Sequence, residues 1–497
     1  MDPAWWRRGA IYQVYPRSFA DADGDGIGDL AGVRDRLDHL AGLGVEALWL
    51  SPFYRSPMAD FGYDVSDYCD VDPVFGTLAD FDALVVAAHD RGLRVIVDWV
   101  PNHTSDRHPW FADPARRHWY VWRDEPNGWR TQFSRSGPAW TRDERSGQWY
   151  LHSFLPQQPD LDWDEPEVEA AMHDVLRFWL RRGVDGFRVD VVYRIAKDPQ
   201  LGENEPGRRH DQDWPTIAGR LRAIRRVLEE FGDDRMSVGE LYLPTQADLV
   251  RYVNSGDQLH LVHNFHFLQQ PWEAGAFRAT IAEFLDLLEP GAWAAWCLGN
   301  HDHSRLATRY GERAVRVAAM LLVTLRGTPF IYQGDELGLS DVPVGPDQVV
   351  DVDGRDPGRC PIPWEPPSRA GAGAGFTTGR PWLPVDPAAE RVNAATQGDD
   401  AGSVLSLYRA LLALRRAEPD LQAGDLRFLD AGDQDVLAYT RGEHHLVALN
   451  FAPEPRRAAL PGPASVALST HLGRIAGEEA QVLELAPDEG VVLRRSP

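Results

Sequence analysis

The sequence predicts an α/β protein built on a (β/α)8 TIM barrel, with a subdomain inserted after strand 3 and a C-terminal antiparallel β-domain. Three observations predict this. Strand-like apolar runs and helical stripes alternate about eight times from residue 10 onward. Such alternation implies a parallel sheet, and eight units close a barrel. The alternation pauses once, over 104–165, where Trp, Pro, Gly and charged residues replace any helical period. After residue 421 it gives way to short strands separated by turns. The boundaries that follow are 1–103 and 166–418 for the barrel, 104–165 for the insert and 419–497 for the β-domain.

Taken in order, residues 10–15 (Ala-Ile-Tyr-Gln-Val-Tyr) give the first strand. The next stretch spaces Asp21, Asp23, Asp25 and Asp29 with glycines between them. Carboxylates so placed can wrap a hard cation, with the carbonyl of Ile27 as a further ligand. Ca2+ fits best and Mg2+ is the alternative. The closing Glu of an EF-hand is missing, and the competing reading is a solvated acidic turn. Asp29 can also cap the following helix, whose stripe is Leu30, Val33, Leu37 and Leu40.

A strand at 45–50 follows. Thr77 and Asp80 then form a capping box ahead of the apolar face Phe81, Leu84, Val85 and Ala88. Residues 94–100 are the third strand. The insert comes next, and long excursions at the carboxyl ends of strands shape binding sites. Val168, Ala171, Val175 and Trp179 mark the returning helix, followed by a strand at 186–190. Further strands are expected at 236–241, 259–265, 294–299 and 327–334, with helices at 217–231 and 313–325. The Pro- and Gly-rich stretch 335–400 reads as an irregular, partly mobile loop region. A last helix carries Val404, Tyr408, Leu411, Leu412 and Arg415.

Composition narrows the function. A net charge of −24 leaves no basic patch to track phosphates, which argues against nucleic acid, and a neutral substrate fits better. Eighteen tryptophans offer indole faces for stacking on sugar rings, although large enzymes also bury many. Three scattered cysteines, Cys69, Cys297 and Cys360, argue against a disulfide framework and lead us to expect the cytoplasm. The first eight residues have no signal-peptide core, and no run is long enough to span a membrane.

The carboxyl ends of barrel strands carry the chemistry. Here they hold Asp98 with Asn102 and His103, Arg188 with Asp190, Glu240, and His301 with Asp302. Each is ambiguous alone: an Arg–Asp pair is often structural, and a strand-end Asp often caps a loop. Several acids meeting at one mouth would repel one another unless a reaction needs them. Three carboxylates without a Cys/His metal pattern suit glycoside hydrolysis. Asp190, beside Arg188, is the expected nucleophile. Glu240, on the apolar Ser-Val-Gly-Glu-Leu strand, should have a raised pKa and act as acid. Asp302 would hold sugar hydroxyls and stabilise positive charge at the anomeric carbon.

The motifs also carry a resemblance. Asp98-Trp99-Val100-Pro101-Asn102-His103, Gly186-Phe187-Arg188-Val189-Asp190, Val238-Gly239-Glu240 and Asn300-His301-Asp302 resemble, in order, the four signature regions of the α-amylase family of glycoside hydrolases. Gln158-Pro159-Asp160-Leu161-Asp162, Gly62-Tyr63-Asp64-Val65-Ser66-Asp67-Tyr68 and Arg355-Asp356-Pro357-Gly358-Arg359 resemble its oligo-1,6-glucosidase and α-glucosidase branch. The resemblance implies Asp190 as nucleophile, Glu240 as acid/base and Asp302 as transition-state stabiliser. It implies that Tyr63, Asp64, His103, Arg188, His301 and Arg359 bind the terminal glucose, with an Asp64–Arg359 pair closing the pocket of an exo-acting enzyme. It places a metal on Asp21, Asp23, Asp25, Ile27 and Asp29. Val191, after the nucleophile, resembles members that prefer α-1,6 links, though an apolar contact of this kind discriminates by only about 1–3 kcal/mol. The implied activity is a retaining α-glucosidase on small oligosaccharides or disaccharides, able to transfer to a sugar in place of water. The alternatives are a trehalose- or sucrose-active isomerase or transferase, and a catalytically inactive binding or transporter-partner barrel.

Overall fold

The computed structural model describes residues 4–133, 137–474 and 479–495. Eight parallel strands form the barrel: β1 (Ile11–Val14), β2 (Ala47–Leu50), β3 (Arg94–Trp99), β4 (Gly186–Val189), β5 (Met236–Gly239), β6 (Leu261–Val262), β7 (Ala295–Cys297) and β8 (Thr328–Tyr332). Each pairs with the next, and β8 returns to β1. A parallel bridge between His263 and Ala295 joins β6 to β7, so the ring is closed more loosely there. Side chains alternate across each strand. Ile11, Trp49, Ile96, Val238 and Phe330 fill the lumen, with Trp5 and Trp6 in the same cluster. Their neighbours Tyr12, Leu48, Val97, Phe187 and Val189 pack outward into the helix layer.

Local signals set several helix starts. Asp29 Oδ1 accepts from Gly32 N at 2.6 Å and caps Leu30–Asp35. The Thr77–Asp80 capping box opens Leu78–Asp90, whose buried face is Phe81, Leu84, Val85 and Ala88. Strand β6 is shorter than the expected 259–265. Asn264 Oδ1 accepts from Phe267 N at 3.2 Å, and this cap turns the chain into the helix Phe265–Leu268. Arg415, on the helix Val404–Ala417, is buried beneath the barrel. Its guanidinium donates to the carbonyls of Arg8, Val323, Leu325 and Gly327 at 2.6–3.2 Å.

The chain leaves the barrel after β3 and returns at the helix Pro166–Arg181. Between them, Trp122–Arg123, Trp140–Arg142 and Trp149–Leu151 form a three-stranded antiparallel sheet. Residues 134–136 of the insert lie outside the described residues. Lys197 ties the insert to the barrel. Its buried ammonium lies 3.0 Å from Asp160, and donates to Asn102 Oδ1 at 2.8 Å and Arg194 O at 2.6 Å.

The stretch 335–400 is more ordered than its Pro/Gly content implies. Ile362, Trp364 and Phe376 join the main core, and Trp364 Nε1 donates to Phe19 O at 2.6 Å. Buried aromatic anchors hold this irregular stretch to the core, while Val349, Val350 and Val352 stay exposed. A six-stranded antiparallel sheet follows, with β9 (Leu426–Leu429), β10 (Val436–Arg441), β11 (His445–Asn450), β12 (Arg456–Ser469), β13 (Glu479–Leu485) and β14 (Gly490–Arg495) in the order β9-β10-β11-β14-β12-β13. One face, including Leu437, Tyr439, Val447 and Leu449, packs on the main core. Among the described residues, no helix is long and apolar enough to cross a membrane.

Candidate active site

Strand register builds the site. Arg188 on β4 is level with Asp98 on β3 and Val238 on β5, so its side chain enters the lumen near the carboxyl ends. Its guanidinium is 1% exposed and meets three carboxylates. Nη1 lies 2.6 Å from Asp98 Oδ1 and 2.6 Å from Asp190 Oδ1, and Nη2 lies 2.7 Å from Glu240 Oε2. Val191, just past Asp190, has φ 33° and ψ 44°. A β-branched residue in this left-handed region is strained by about 1–3 kcal/mol. In return its N–H points at Glu240 Oε2, at 3.0 Å.

Asp302 belongs to a second cationic cluster. Its Oδ1 lies 3.1 Å from Arg355 Nη1 and 3.1 Å from Arg359 Nη2. Behind these residues, His301 Nδ1 is 2.8 Å from Gln13 Nε2, and its Nε2 is 2.7 Å from the Tyr63 hydroxyl. That hydroxyl is also 3.2 Å from Asp98 Oδ2. His103 lies 3.1 Å from Tyr63 O through Nε2, while its Nδ1 accepts from Asn102 Nδ2 at 3.2 Å. One cavity of about 350 Å3 is lined by Asp190, Glu240, Asp302, Tyr63 and His103, among others. That size suits a small ligand. The insert contributes Phe154 to the wall.

The two clusters titrate in opposite directions. Burial raises Asp190, against the pull of Arg188 and with the push of Glu240 and Asp98. Burial likewise raises Glu240, opposed by Arg188 and aided by Asp302, and lifts Asp98 to about 6. For Asp302 burial also acts upward, but His301, Arg355 and Arg359 together win and hold it below the usual carboxylate range. Arg188 favours the ionised form of Asp190, as its place beside it implies, but it does so against burial and two neighbouring carboxylates. One guanidinium shared by three carboxylates favours retention of a proton within the cluster.

The expected Asp64–Arg359 pair is corrected. Asp64 is fully buried, and its carboxylate accepts from Ser56 Oγ at 2.8 Å and from the N–H groups of Ala59 and Asp60, both at 2.9 Å. It folds a turn and makes no pocket wall. The acid–arginine pair on the cavity lining is Asp60–Arg355, with Oδ1 2.6 Å from Nη2. Arg359 is 1% exposed and braces Asp302, while its Nε donates to His301 O at 2.7 Å. Gln158, in sequence only one member of a motif, supports the same pair: its Nε2 donates to Asp60 Oδ2 at 3.0 Å. Asp60, Gln158 and Arg355 all lie in or next to motifs that the sequence displays, so the signal for them sits within one turn of the residues it nominates.

In the acidic loop, oxygens of Asp21, Asp23 and Asp29 lie within 4.8 Å of one another. Three oxygens so placed leave their centre within about 2.8 Å of each, a range that includes the ~2.3–2.6 Å Ca2+ takes from oxygen, so these hard donors fit it. Asp25 does not join them. Its Oδ1 accepts from Ile27 N at 2.7 Å.

Comparison with known proteins follows the same lines. The family profile described as the α-amylase catalytic domain matches residues 13–424. The probable α-glucosidase of Rhizobium meliloti (strain 1021) is 41% identical, covering 86% of each chain. The oligo-1,6-glucosidase of Parageobacillus thermoglucosidasius is 34% identical over 93% of each. The crystal structure of the trehalulose synthase from Pseudomonas mesoacidophila MX-45 superposes with a TM-score of 0.93 at 34% identity, covering 99% of this chain and 100% of that one. With a barrel, three gathered carboxylates and a matching profile over most of its length, the chain belongs to the α-amylase family of glycoside hydrolases.

Proposed function

We propose that the protein is a retaining, exo-acting α-glucosidase that releases terminal glucose from short α-glucosides and can pass it to a sugar acceptor. One observation carries this: Asp190 and Glu240 share a single guanidinium and line one cavity with Asp302 and the Asp60–Arg355 pair. The Glu240 and Asp190 carboxyls lie within hydrogen-bonding reach of one another, closer than the ~6.5–9.5 Å spacing that inverting enzymes need to admit a water between them. Closure of one end by that pair would favour cleavage from a chain terminus.

Asp190 attacks the anomeric carbon while protonated Glu240 gives its proton to the glycosidic oxygen. The aglycone leaves, and a β-glucosyl ester remains on Asp190. Glu240, now a carboxylate, takes a proton from water or a sugar hydroxyl. That oxygen displaces Asp190 and the product keeps the α configuration. Asp302, kept ionised, stabilises positive charge at the anomeric carbon; His103 is on the cavity wall, while the expected contact of His301 with the glucose is replaced by support of Tyr63 from behind. NMR of the first products tests the scheme: α-glucose is expected, and β-glucose would refute it. Asp190→Asn and Glu240→Gln should each abolish most turnover, and an unimpaired variant would remove that residue from its role.

Asp21, Asp23 and Asp29, with the Ile27 carbonyl, are proposed to hold a structural Ca2+, with Mg2+ the alternative. The three cysteines are free, which supports a reducing, cytoplasmic setting that cell fractionation would check. The trehalulose synthase match favours a second reading, a sucrose-active isomerase. Initial rates and products on maltose, isomaltose, sucrose and trehalose side by side separate the two.

A further inference from the structure

His303 lies beyond the three carboxylates and makes an arrangement that the mechanism above does not use. Asn300 Oδ1 lies 3.0 Å from the N–H of Asp302, 3.0 Å from the N–H of His303, and 2.8 Å from His303 Nδ1. An oxygen facing two backbone N–H groups can only be the amide carbonyl, and it can only accept. His303 Nδ1 must therefore carry a proton. Burial keeps the ring neutral, against the pull of Asp302 and with the push of Arg309. In a neutral ring with a proton on Nδ1, Nε2 presents a lone pair. Among the described residues no group donates to it, and His303 is on the cavity lining.

The surroundings of that lone pair point to a sugar. Tyr242 stacks on Phe265 with centroids 4.5 Å apart, and His303 lies against both, at 6.4 Å from Tyr242 and 5.8 Å from Phe265. Tyr242 follows Glu240 by two residues and is 37% exposed, so it stands toward the mouth. Glu240 must face the glycosidic oxygen, so groups on its outward side meet the leaving sugar and not the terminal glucose. Flat apolar rings beside one acceptor fit a second pyranose, which has an apolar face and hydroxyl donors.

We propose that His303 is a specificity-determining residue for the leaving-group or acceptor sugar. Its Nε2 accepts a hydrogen bond from a hydroxyl of the second ring, which packs on the exposed ring of Tyr242, itself backed by the buried Phe265. The role rests on the glucosidase reading and deepens it. The same contact would favour a sugar over water when the glucosyl ester is resolved.

The test compares kcat/KM on p-nitrophenyl α-glucoside, whose aglycone has no hydroxyl to offer, with that on the better of maltose and isomaltose. His303→Phe keeps a flat ring and removes the lone pair, and His303→Gln supplies an acceptor oxygen. His303→Phe is expected to lose roughly tenfold on the disaccharide, the scale of one hydrogen bond left unmade. It should lose less than about twofold on the aryl glucoside, and yield fewer transfer products. His303→Gln should recover most of the disaccharide rate. Equal losses on both substrates, or no loss on the disaccharide, would overturn the role of His303 while leaving the glucosidase standing. A wild-type protein that left every α-glucoside intact would remove the glucosidase reading and this role with it.

Discussion

Asp60 and Asp64 are four residues apart, and the structure gives them opposite work, so exchanging each for Asn separates pocket from turn. Asp64 Oδ1 accepts from Ser56 Oγ and Asp60 N, and Oδ2 from Ala59 N, all at 2.8–2.9 Å with no exposure to water. In Asp64→Asn one of these oxygens becomes an NH2 facing a donor. Hydrogen bonds to a charged group are worth about 1.5–3 kcal/mol, and a buried group left unmatched costs a similar amount, so a loss of about 3 kcal/mol is expected. Burial works the other way by raising the pKa of Asp64, which trims the figure but not its sign. Asp64→Asn should melt several degrees lower, while the kcat/KM of its folded fraction stays within about threefold of wild type. Asp60→Asn keeps the turn, because it uses only the Asp60 N–H, and removes the charge paired with Arg355 at 2.6 Å. Its Tm should change little while kcat/KM on disaccharides falls about a hundredfold. That is the scale of the 2–3 kcal/mol or so that a buried, charge-assisted hydrogen bond gives to a transition state. Scanning calorimetry with initial rates on maltose and isomaltose decides. An Asp64→Asn protein with intact Tm and abolished activity, or the converse at Asp60, would refute the assignment.

Three further outcomes are expected. Lys197→Met leaves the buried Asp160 without its cation, 3.0 Å away, and loosens Asn102 and through it His103. Breaking such a pair costs about 3–5 kcal/mol. Adding Asp160→Asn should restore part of the Tm, and additive losses would show that the two residues do not interact. The pH profile of kcat/KM should be a bell displaced upward. The active form holds one proton on the Asp190–Glu240 pair, and burial raises both groups; activity is lost as pH falls and the pair takes a second proton, and as pH rises and it loses its last. An acid limb at or below the ordinary Asp value of about 3.9 would contradict this. Chelation should lower Tm, with Ca2+ restoring it, because Asp21, Asp23 and Asp29 then repel unscreened. An unchanged Tm together with no bound metal by elemental analysis would end the metal proposal.

The barrel was legible because its signals are periodic. Val95, Ile96 and Val97 form a continuous apolar strand, and Phe81, Leu84, Val85 and Ala88 return at helical spacing. Where the elements are too short to show a period, the sequence is silent. The sheet of the insert is made of strands of two or three residues, and a single Asn264 cap ends β6 early. The catalytic carboxylates were legible for another reason. Strand ends in a barrel converge, so acids at several ends must meet. Asp60 and Arg355 sit on loops, where a turn decides which of two nearby carboxylates or arginines faces the cavity. In 56–64 the turn is closed by Asp64 itself, which uses up the residue that the motif nominated.

The placement of the arginines divides the labour of the carboxylates. Asp190, Glu240 and Asp98 draw on the one charge of Arg188, so their cluster retains a proton more readily than an isolated acid does. Asp302 draws on Arg355 and Arg359 and gives its proton up. Within one small pocket the acids are thus split into a group that can supply a proton and one that stays negative where positive charge develops. A retaining glycosidase needs both at once. When that proton settles on Glu240, Arg188 faces the anions of Asp98 and Asp190, and Asp190 is free to act as the nucleophile. Asp190, one residue past the end of β4, and Glu240 meet on the Arg188 guanidinium, so the protonation state of one acts directly on the other.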